Sequence, residues 1–350
     1  MTDTVKNSSN LYLESGYINV DYLMSLNMPF NIWIGGRGIG KTYGVLKWCR
    51  DHDIAPLFLR RTQAQADIVN SKAMSPWKSI SRKDKFIINT RKLEGLVETF
   101  EEDKDGEYIR PLSYGRALST FSNVRGFDAV DINYIIIDEF IPENHERSIK
   151  NEGDILYNMY ETVNRNRELD GEPATRLILM ANANRLDSPI LMKLGIVNKI
   201  EKMIKTKQSL SVMPDRGICI ALFHDSPISL KKKNTALYKL TQGSQFEEMS
   251  LGNEFSYSDT TNVISKPLNG MIPLFKFNDI TCYQDKSTQR FYFSTHSSGT
   301  VKEYNATSEE DAKRLRNDKF YILLAVMSNT VDYESYDIKA KVLSIFKLFN

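Results

Sequence analysis

The feature that most constrains the fold is a glycine-rich loop between two runs of contrasting pattern. The apolar run Phe30–Ile34 before it is typical of a strand, and Tyr43–Trp48 after it is typical of a helix. In this context, backbone N–H groups and a helix N-terminus bind phosphate. Lys41 is expected to reach the β- and γ-phosphates and Thr42 to hold Mg²⁺, so the motif predicts a site for ATP or GTP. The loop consists of Gly35, Gly36, Arg37, Gly38, Ile39, Gly40, Lys41 and Thr42.

Length and composition are those of a globular protein of about two domains. The 350 residues are 41% hydrophobic and 26% charged, and mean hydropathy is −0.39. No apolar run reaches the roughly 18 residues of a membrane span, and the polar start of the chain lacks a signal-peptide core. The cysteines Cys49, Cys219 and Cys282 are far apart, which predicts a reducing compartment without disulfides.

The net charge of +2 is unevenly distributed. Residues 41–92 contain twelve Lys or Arg against four Asp or Glu. A basic stretch beside a nucleotide site is compatible with contact to a nucleic-acid backbone. It is also compatible with a solvated helix face, so charge alone leaves both interpretations open.

Alternating strand-like and helix-like segments predict an α/β domain with a mostly parallel sheet over residues 1–226. Phe86–Pro111 is interpreted as an inserted hairpin with an exposed turn at Glu101–Gly106. The predicted strands are Asn31–Ile34, Ala55–Arg60, Asn133–Ile137, Arg176–Met180 and Gly217–Leu222.

The pattern changes after residue 226. Residues 227–255 predict a short helical connector, helical over Ser229–Leu251 with Ser229 as N-cap. Residues 256–350 predict a smaller α+β domain. Its expected strands are Met271–Lys276, Ile280–Tyr283, Arg290–Ser294 and Thr300–Tyr304, and its expected helices are Ser308–Asp318 and Lys339–Phe349 around a further apolar run at Phe320–Met327.

Two acids follow the apolar run Tyr134–Ile137. Asp138 is placed to bind the shell of a Mg²⁺ ion, partly through water, and Glu139 to act as general base on the attacking water. The alternative is a capping pair at a helix start. Asn182, and in second place Asn184, follow the next predicted strand, where an amide can sense the γ-phosphate; an Asn there also commonly closes a turn.

Three groups of arginines remain. Arg165 or Arg167 could act on the site of a neighbouring subunit, and since they face different ways on a helix, at most one is the finger. The alternative is a surface ion pair with Glu161 or Glu168. Arg37 lies inside the loop and could swing between the γ-phosphate and a neighbouring acid, or merely cover the nucleotide. Arg60-Arg61 could contact DNA or couple the site to it, or form a stabilising ion pair.

Together these residues resemble the DNA-packaging ATPases of small podophages with protein-primed genomes. The resemblance covers about two thirds of the chain, the ATPase region and the connector. It implies an additional-strand, conserved-glutamate P-loop fold, assembled as a ring, usually a pentamer, at the portal vertex of a prohead in the host cytoplasm, where it threads double-stranded DNA. It also implies ATP with Mg²⁺, Arg165 as the arginine acting across the interface, and, in some relatives, a structural RNA. The matching segments are Ile34–Thr42, Arg60-Arg61, Ile137–Ile141, Val163–Glu168 and Glu248–Leu251.

In the larger terminase relatives the second domain is an RNase H-like nuclease. The acids Asp279, Asp285 and Asp311 do not form a convincing two-metal set. The expectation is therefore a nuclease-like fold without nuclease activity. Two other functions stay open: a helicase-like ATPase stimulated by nucleic acid, and a nucleotide-bound scaffold without turnover, against which Glu139 argues.

Overall fold

The structure is a computed structural model that describes residues 8–123, 131–143, 146, 149–182, 186, 188–224, 226–243, 261–297 and 299–346. The chain divides into two compact units. The first comprises residues 1–194 and 203–257, and the second comprises residues 195–202 and 258–350. Among the described residues, no helix is long and apolar enough to span a membrane.

The first unit is built on a nine-stranded sheet in the order β3-β4-β5-β2-β6-β7-β1-β9-β8. Neighbours from β5 to β9 are parallel, and the pairs β3-β4, β4-β5 and β8-β9 are antiparallel. Its strands are β1 (Phe30–Gly35), β2 (Leu57–Arg60), β3 (Ile87–Leu93), β4 (Leu96–Glu102), β5 (Tyr108–Ala117), β6 (Tyr134–Asp138), β7 (Arg176–Ala181), β8 (Leu210–Met213) and β9 (Ile218–Phe223).

The central strands are buried along nearly their whole length, as parallel strands covered on both faces must be. The predicted α/β fold with a mostly parallel sheet is therefore confirmed. The helices from the first 243 residues are α1 (Val20–Ser25), α2 (Lys41–Asp51), α3 (Gln63–Val69), α4 (Trp77–Asp84), α5 (Glu152–Asn164), α6 (Pro189–Lys193), α7 (Val197–Lys205), α8 (Pro227–Lys232) and α9 (Ala236–Leu240).

Two local predictions need correction. The hairpin β3-β4 pairs onward with β5, so it extends the main sheet, and Glu101 is a buried strand residue bound to Arg50 and Arg110. The connector is not one helix that begins at Ser229. Instead α8 begins after Ser226 and places Ser229 inside a helix, Thr235 starts α9, and residues 244–255 lie outside the described residues.

The second unit contains a five-stranded sheet in the order β13-β10-β11-β12-β14, with β10, β11 and β12 antiparallel. The described residues of 258–350 also form three helices, which agrees with the predicted α+β composition; the likeness to nucleases stays a prediction. The elements are β10 (Met271–Phe277), β11 (Ile280–Asp285), β12 (Phe291–Ser294), β13 (Lys302–Tyr304), α10 (Glu309–Asp318), α11 (Phe320–Met327), β14 (Val331–Tyr333) and α12 (Tyr336–Ile345).

A buried ion-pair network fixes the start of α5 beside the end of β2. Arg61 is 0% exposed; its Nε donates to Glu152 Oε1 at 2.7 Å and its Nη1 to Glu146 Oε2 at 2.8 Å. Burial raises the pKa of Glu152, and the Arg61 guanidinium opposes that rise. Of the two interpretations of Arg61, DNA contact is therefore wrong and the stabilising ion pair is confirmed.

Replacing Arg61 should destabilise the first unit strongly. In Arg61→Ala, Glu152 is left buried without its cation, and the loss of one partner of such a pair costs about 3–5 kcal/mol. Since burial already raises the pKa of Glu152, its protonation relieves the variant, and the deficit should shrink as the pH falls toward about 5. Urea unfolding followed by tryptophan fluorescence measures both effects.

The matched control is Arg82→Ala, because Arg82 is exposed on α4. Its free energy of unfolding should stay within about 0.5 kcal/mol of the wild type. Equal stability of Arg61→Ala and Arg82→Ala would contradict a structural role for the Arg61 network.

Candidate active site

The residues predicted to form the site lie at the carboxyl edge of four adjacent strands, β2, β6, β7 and β1. The phosphate loop follows β1, the two acids lie at the end of β6, and Asn182 follows β7. Ligands in open α/β sheets bind beyond the carboxyl ends of the strands. The strand order thus brings the predicted groups to one place.

Glycines shape the loop. Gly38 and Gly40 have φ of +70° and +94°, in the left-handed region that glycine adopts without steric cost. α2 begins at Lys41, directly after Gly40, so its N-terminus faces the loop. These features are those of a phosphate cradle, and the predicted strand-loop-helix arrangement is confirmed.

Lys41 is held inside the loop. Its Nζ donates to Gly35 O at 2.7 Å, to Gly36 O at 2.8 Å and to Asn182 Oδ1 at 3.3 Å. Burial lowers the pKa of Lys41 to about 8, and the nearby Asp138 opposes that shift. The ammonium is therefore oriented by three acceptors and weakly solvated, which strengthens its attraction for an anion.

The two acids at the end of β6 have different surroundings. Thr42 Oγ1 donates to Asp138 Oδ2 at 2.9 Å, and the Asp138 side chain is 5% exposed. Glu139 is 48% exposed and has φ of +58°, a conformation uncommon outside glycine that turns its side chain away from the strand's alternation. Desolvation in the cleft raises the pKa of Glu139, against the opposing charge of Arg60.

Two arginines pair with acids at the site. Arg60 Nη2 lies 3.0 Å from Asp138 Oδ2, and its Nη1 pairs with Glu139. Arg60 is only 13% exposed, and its interpretation as an ion-pair residue is confirmed. Arg37 points from the loop to Glu143, and this pair is half exposed.

Arg165 lies elsewhere in the unit. The helix predicted over Tyr160–Glu168 ends at Asn164, and Arg165 follows with φ of +46° and an exposed side chain. Asn164 Oδ1 accepts from Thr175 N, just before β7 starts, so this end of α5 lies at the edge of the sheet opposite the phosphate loop. Asn184 lies outside the described residues.

A cavity of about 310 Å³ opens between these groups. The Thr42 hydroxyl and the Asp138 carboxylate form a pair of hard oxygen donors of the kind that Mg²⁺ prefers, next to a loop of N–H groups and a lysine. The residues present thus fit a magnesium-triphosphate. The cavity is lined by Arg37, Gly38, Gly40, Lys41, Thr42, Tyr43, Asp138, Glu139, Ala181 and Asn182.

A second cavity of about 670 Å³ shares Gly38, Gly40 and Tyr43 with the first. Tyr17 lines it and is 45% exposed. Tyr22 packs against the hydrophobic core of the unit and does not line that cavity.

Sequence reasoning missed two residues at the site. Glu143 pairs with Arg37 across 106 residues, and no local signal marks it. Lys232, from α8, donates from Nζ to Arg37 O. It belongs to the run Lys231-Lys232-Lys233, a pattern typical of a solvent-exposed helix surface. Only the tertiary structure therefore distinguishes Lys232 from its neighbours.

Comparisons with known proteins agree on one family. A family model described as "Podovirus DNA encapsidation protein (Gp16)" matches residues 13–316. The chain is 25% identical over 298 residues to the "DNA packaging protein" of Bacillus phage B103, covering 83% of this chain and 84% of the relative. It is 24% identical over 251 residues to that of Bacillus phage phi29, covering 69% and 67%.

Two solved structures share the fold along nearly the whole chain. "The Phi-28 gp11 DNA packaging Motor" has a TM-score of 0.64 at 20% identity, covering 95% of this chain and 99% of that chain. "The bacteriophage Phi-29 viral genome packaging motor assembly" has a TM-score of 0.65 at 19% identity, covering 95% and 98%.

Proposed function

Because the chain belongs to the podovirus DNA encapsidation protein family, we propose that it is the motor that drives double-stranded viral DNA into a preformed prohead by hydrolysing ATP. One observation carries the proposal. Thr42 at the start of α2 and Asp138 at the end of β6 meet at 2.9 Å, so the phosphate loop and the acids share one site. A scaffold without turnover has little use for Glu139 beside that pair.

The residues divide the chemistry between them. The backbone of Gly35–Thr42 cradles the phosphates, with Lys41 on the β- and γ-phosphates and Arg37 beside them. Thr42 and Asp138 would hold Mg²⁺, which when bound would neutralise charge on the phosphates. Glu139 accepts the proton of the attacking water, and Asn182 contacts the γ-phosphate.

Arg165 acts on the site of a neighbouring subunit. It lies at the far end of α5, and a helix of 13 residues spans about 20 Å, so it stands well away from its own loop. Arg165 is exposed, whereas Arg167 is half-buried and donates from Nε to Pro173 O in a local turn. This difference in exposure favours Arg165 as the finger. An arginine that contacts the transferred phosphoryl group increases the rate about 10³–10⁵-fold. Turnover is therefore controlled by closure of the interface between neighbouring subunits, which brings Arg165 to the site.

The partners follow from family membership. We assign three partners to this chain: double-stranded DNA, the portal of the prohead, and further copies of the chain in a ring. The location is the host cytoplasm. We extend the assignment to a ring of five subunits and to a structural RNA as a further partner. Grip on the DNA backbone should be sequence-tolerant and sensitive to salt. Nuclease activity is not expected, since among the described residues no three His, Cys, Asp or Glu side chains are placed to hold a metal ion, Asp279, Asp285 and Asp311 included.

Substitutions at the loop and at the general base should separate binding from turnover. Lys41→Ala should abolish both ATP binding and hydrolysis. Glu139→Gln should keep ATP binding and lose about 10²–10⁴ in turnover, because it removes only the base. Calorimetric titration with ATPγS and phosphate release, with and without DNA and proheads, measure these quantities.

The control is Lys92→Ala, since Lys92 is exposed on the edge strand β3; its basal hydrolysis should match the wild type. Full turnover by Glu139→Gln would contradict the proposed enzyme and favour a nucleotide-bound scaffold.

Mixing experiments test the interface. Arg165→Ala alone should lack turnover, and so should Glu139→Gln alone. In mixed rings, a Glu139→Gln subunit supplies Arg165 to the intact Glu139 of an Arg165→Ala neighbour, so part of the activity should return. Phosphate release across a range of mixing ratios measures the recovery.

The matched variant is Arg167→Ala, two residues away, which should retain most of its activity alone. If no mixing ratio restores turnover, Arg165 does not act between subunits.

A further inference from the structure

Among the described lysines of the connector, Lys232 is the one whose side chain reaches the phosphate loop. Its Nζ donates to Arg37 O, and a Cβ built on Gly38 would lie 2.3 Å from that Nζ. The neighbouring Lys231 contacts Ser15 O at 3.5 Å, outside the loop. The contact with the loop therefore belongs to one position of the three-lysine run.

The start of α8 is anchored to the rest of the first unit, so the position of Lys232 relative to the loop is set by the helix. Ser226 Oγ donates to Gly16 O at 3.1 Å. A Cβ on Gly16 would lie 2.9 Å from Ile228 N, which shows how closely the backbones approach. Ile228 also packs against the core of the unit. Lys232 thus projects toward the loop from an anchored helix.

The position of Lys232 determines how one loop peptide is oriented. Arg37 C=O and Gly38 N–H belong to the same planar trans peptide and point in opposite directions. A lysine that holds Arg37 O on the side of α8 directs the Gly38 N–H to the other side. Gly38 lines the 310 Å³ cavity, where N–H groups are needed for phosphate.

We propose that Lys232 is a positioning residue for the triphosphate, which orients the Arg37–Gly38 peptide so that the Gly38 N–H is available to phosphate. The inference rests on the proposed ATP site. Since Lys232 belongs to the connector, the coupling is reciprocal: nucleotide that engages the Gly38 N–H stabilises α8 against the loop, and displacement of α8 weakens the nucleotide.

Charge supports this arrangement. The ammonium of Lys232 contributes to lowering the pKa of Lys41, after burial as the main cause, and burial lowers the pKa of Lys232 itself. Cations close enough to affect each other's titration repel, and a bound polyphosphate offsets that repulsion. The site therefore gains from binding an anion at this end of the loop.

The test compares Lys232→Met, which keeps the aliphatic stem, with Lys232→Arg, which keeps a cationic donor. Lys232→Met should weaken ATPγS binding and raise the KM for ATP about 10-fold, the effect of one hydrogen bond to a charged group. kcat should change by less than about 3-fold, because the chemical groups are intact. Lys232→Arg should recover most of the loss.

The matched control is Lys233→Met, which removes a neighbouring exposed lysine at the end of the same helix. It should bind ATPγS like the wild type. Equal binding by Lys232→Met and wild type, or equal weakening in Lys233→Met, overturns the proposal. Thermal unfolding of each variant without nucleotide should give the same Tm; a lower Tm in Lys232→Met that accounts for the lost binding also overturns it.

Hydrogen exchange provides a readout that a purely structural role would not move. ATPγS with Mg²⁺ should slow exchange in peptides covering residues 226–243 of the wild type, and Lys232→Met should abolish that slowing at saturating nucleotide. Persistence of the slowing overturns the coupling. The outcome is separable from the proposed function, because Lys41→Ala reports on the ATP site itself. If Lys41→Ala loses ATPγS binding while Lys232→Met binds like the wild type, only the role of Lys232 is rejected.

Discussion

The carboxyl ends of β2, β6, β7 and β1 lie side by side, and this constraint brings together groups that are far apart in the chain. Thr42 meets Asp138 across 96 residues, and Lys41 meets Asn182 across 141. Because β7 lies between β1 and β6, its end supplies the amide that stands between the loop and the acids. A different strand order with the same motifs would not form this site.

The electrostatics of the site rest on cations and carboxylates that alternate. Arg60 pairs with Asp138 and Glu139, and Arg37 pairs with Glu143, so the charged side chains that line the cavity in the described part of the chain have protein partners. Buried charges without partners would cost several kcal/mol each. Pairing within the protein offsets the cost of burying these charges. Lys41 takes no part in these ion pairs, and its main hydrogen-bond acceptors are the loop carbonyls of Gly35 and Gly36.

The core of the fold could be predicted because its signals are local, whereas pairings over long distances could not. Continuous apolar runs located the five predicted strands to within about two residues. β5 was missed because it contains Pro111, which usually argues against a strand; here it pairs with Phe100 beside an irregularity in the register of β4. The partners of Arg60 and Arg61 lie 78 to 91 residues away, so the sequence left DNA contact and ion pair equally open.

Arg60 and Arg61 show how the sheet connects the site to the rest of the unit. Successive side chains along an extended strand point to opposite faces, so these neighbours serve different partners. Arg60 contacts the acids of the site, and Arg61 holds Glu152 at the start of α5, whose other end carries Arg165. The acids and the proposed finger are thus positioned from one point of the backbone. A shift of β2 by one residue would exchange the two arginines and disrupt both arrangements together.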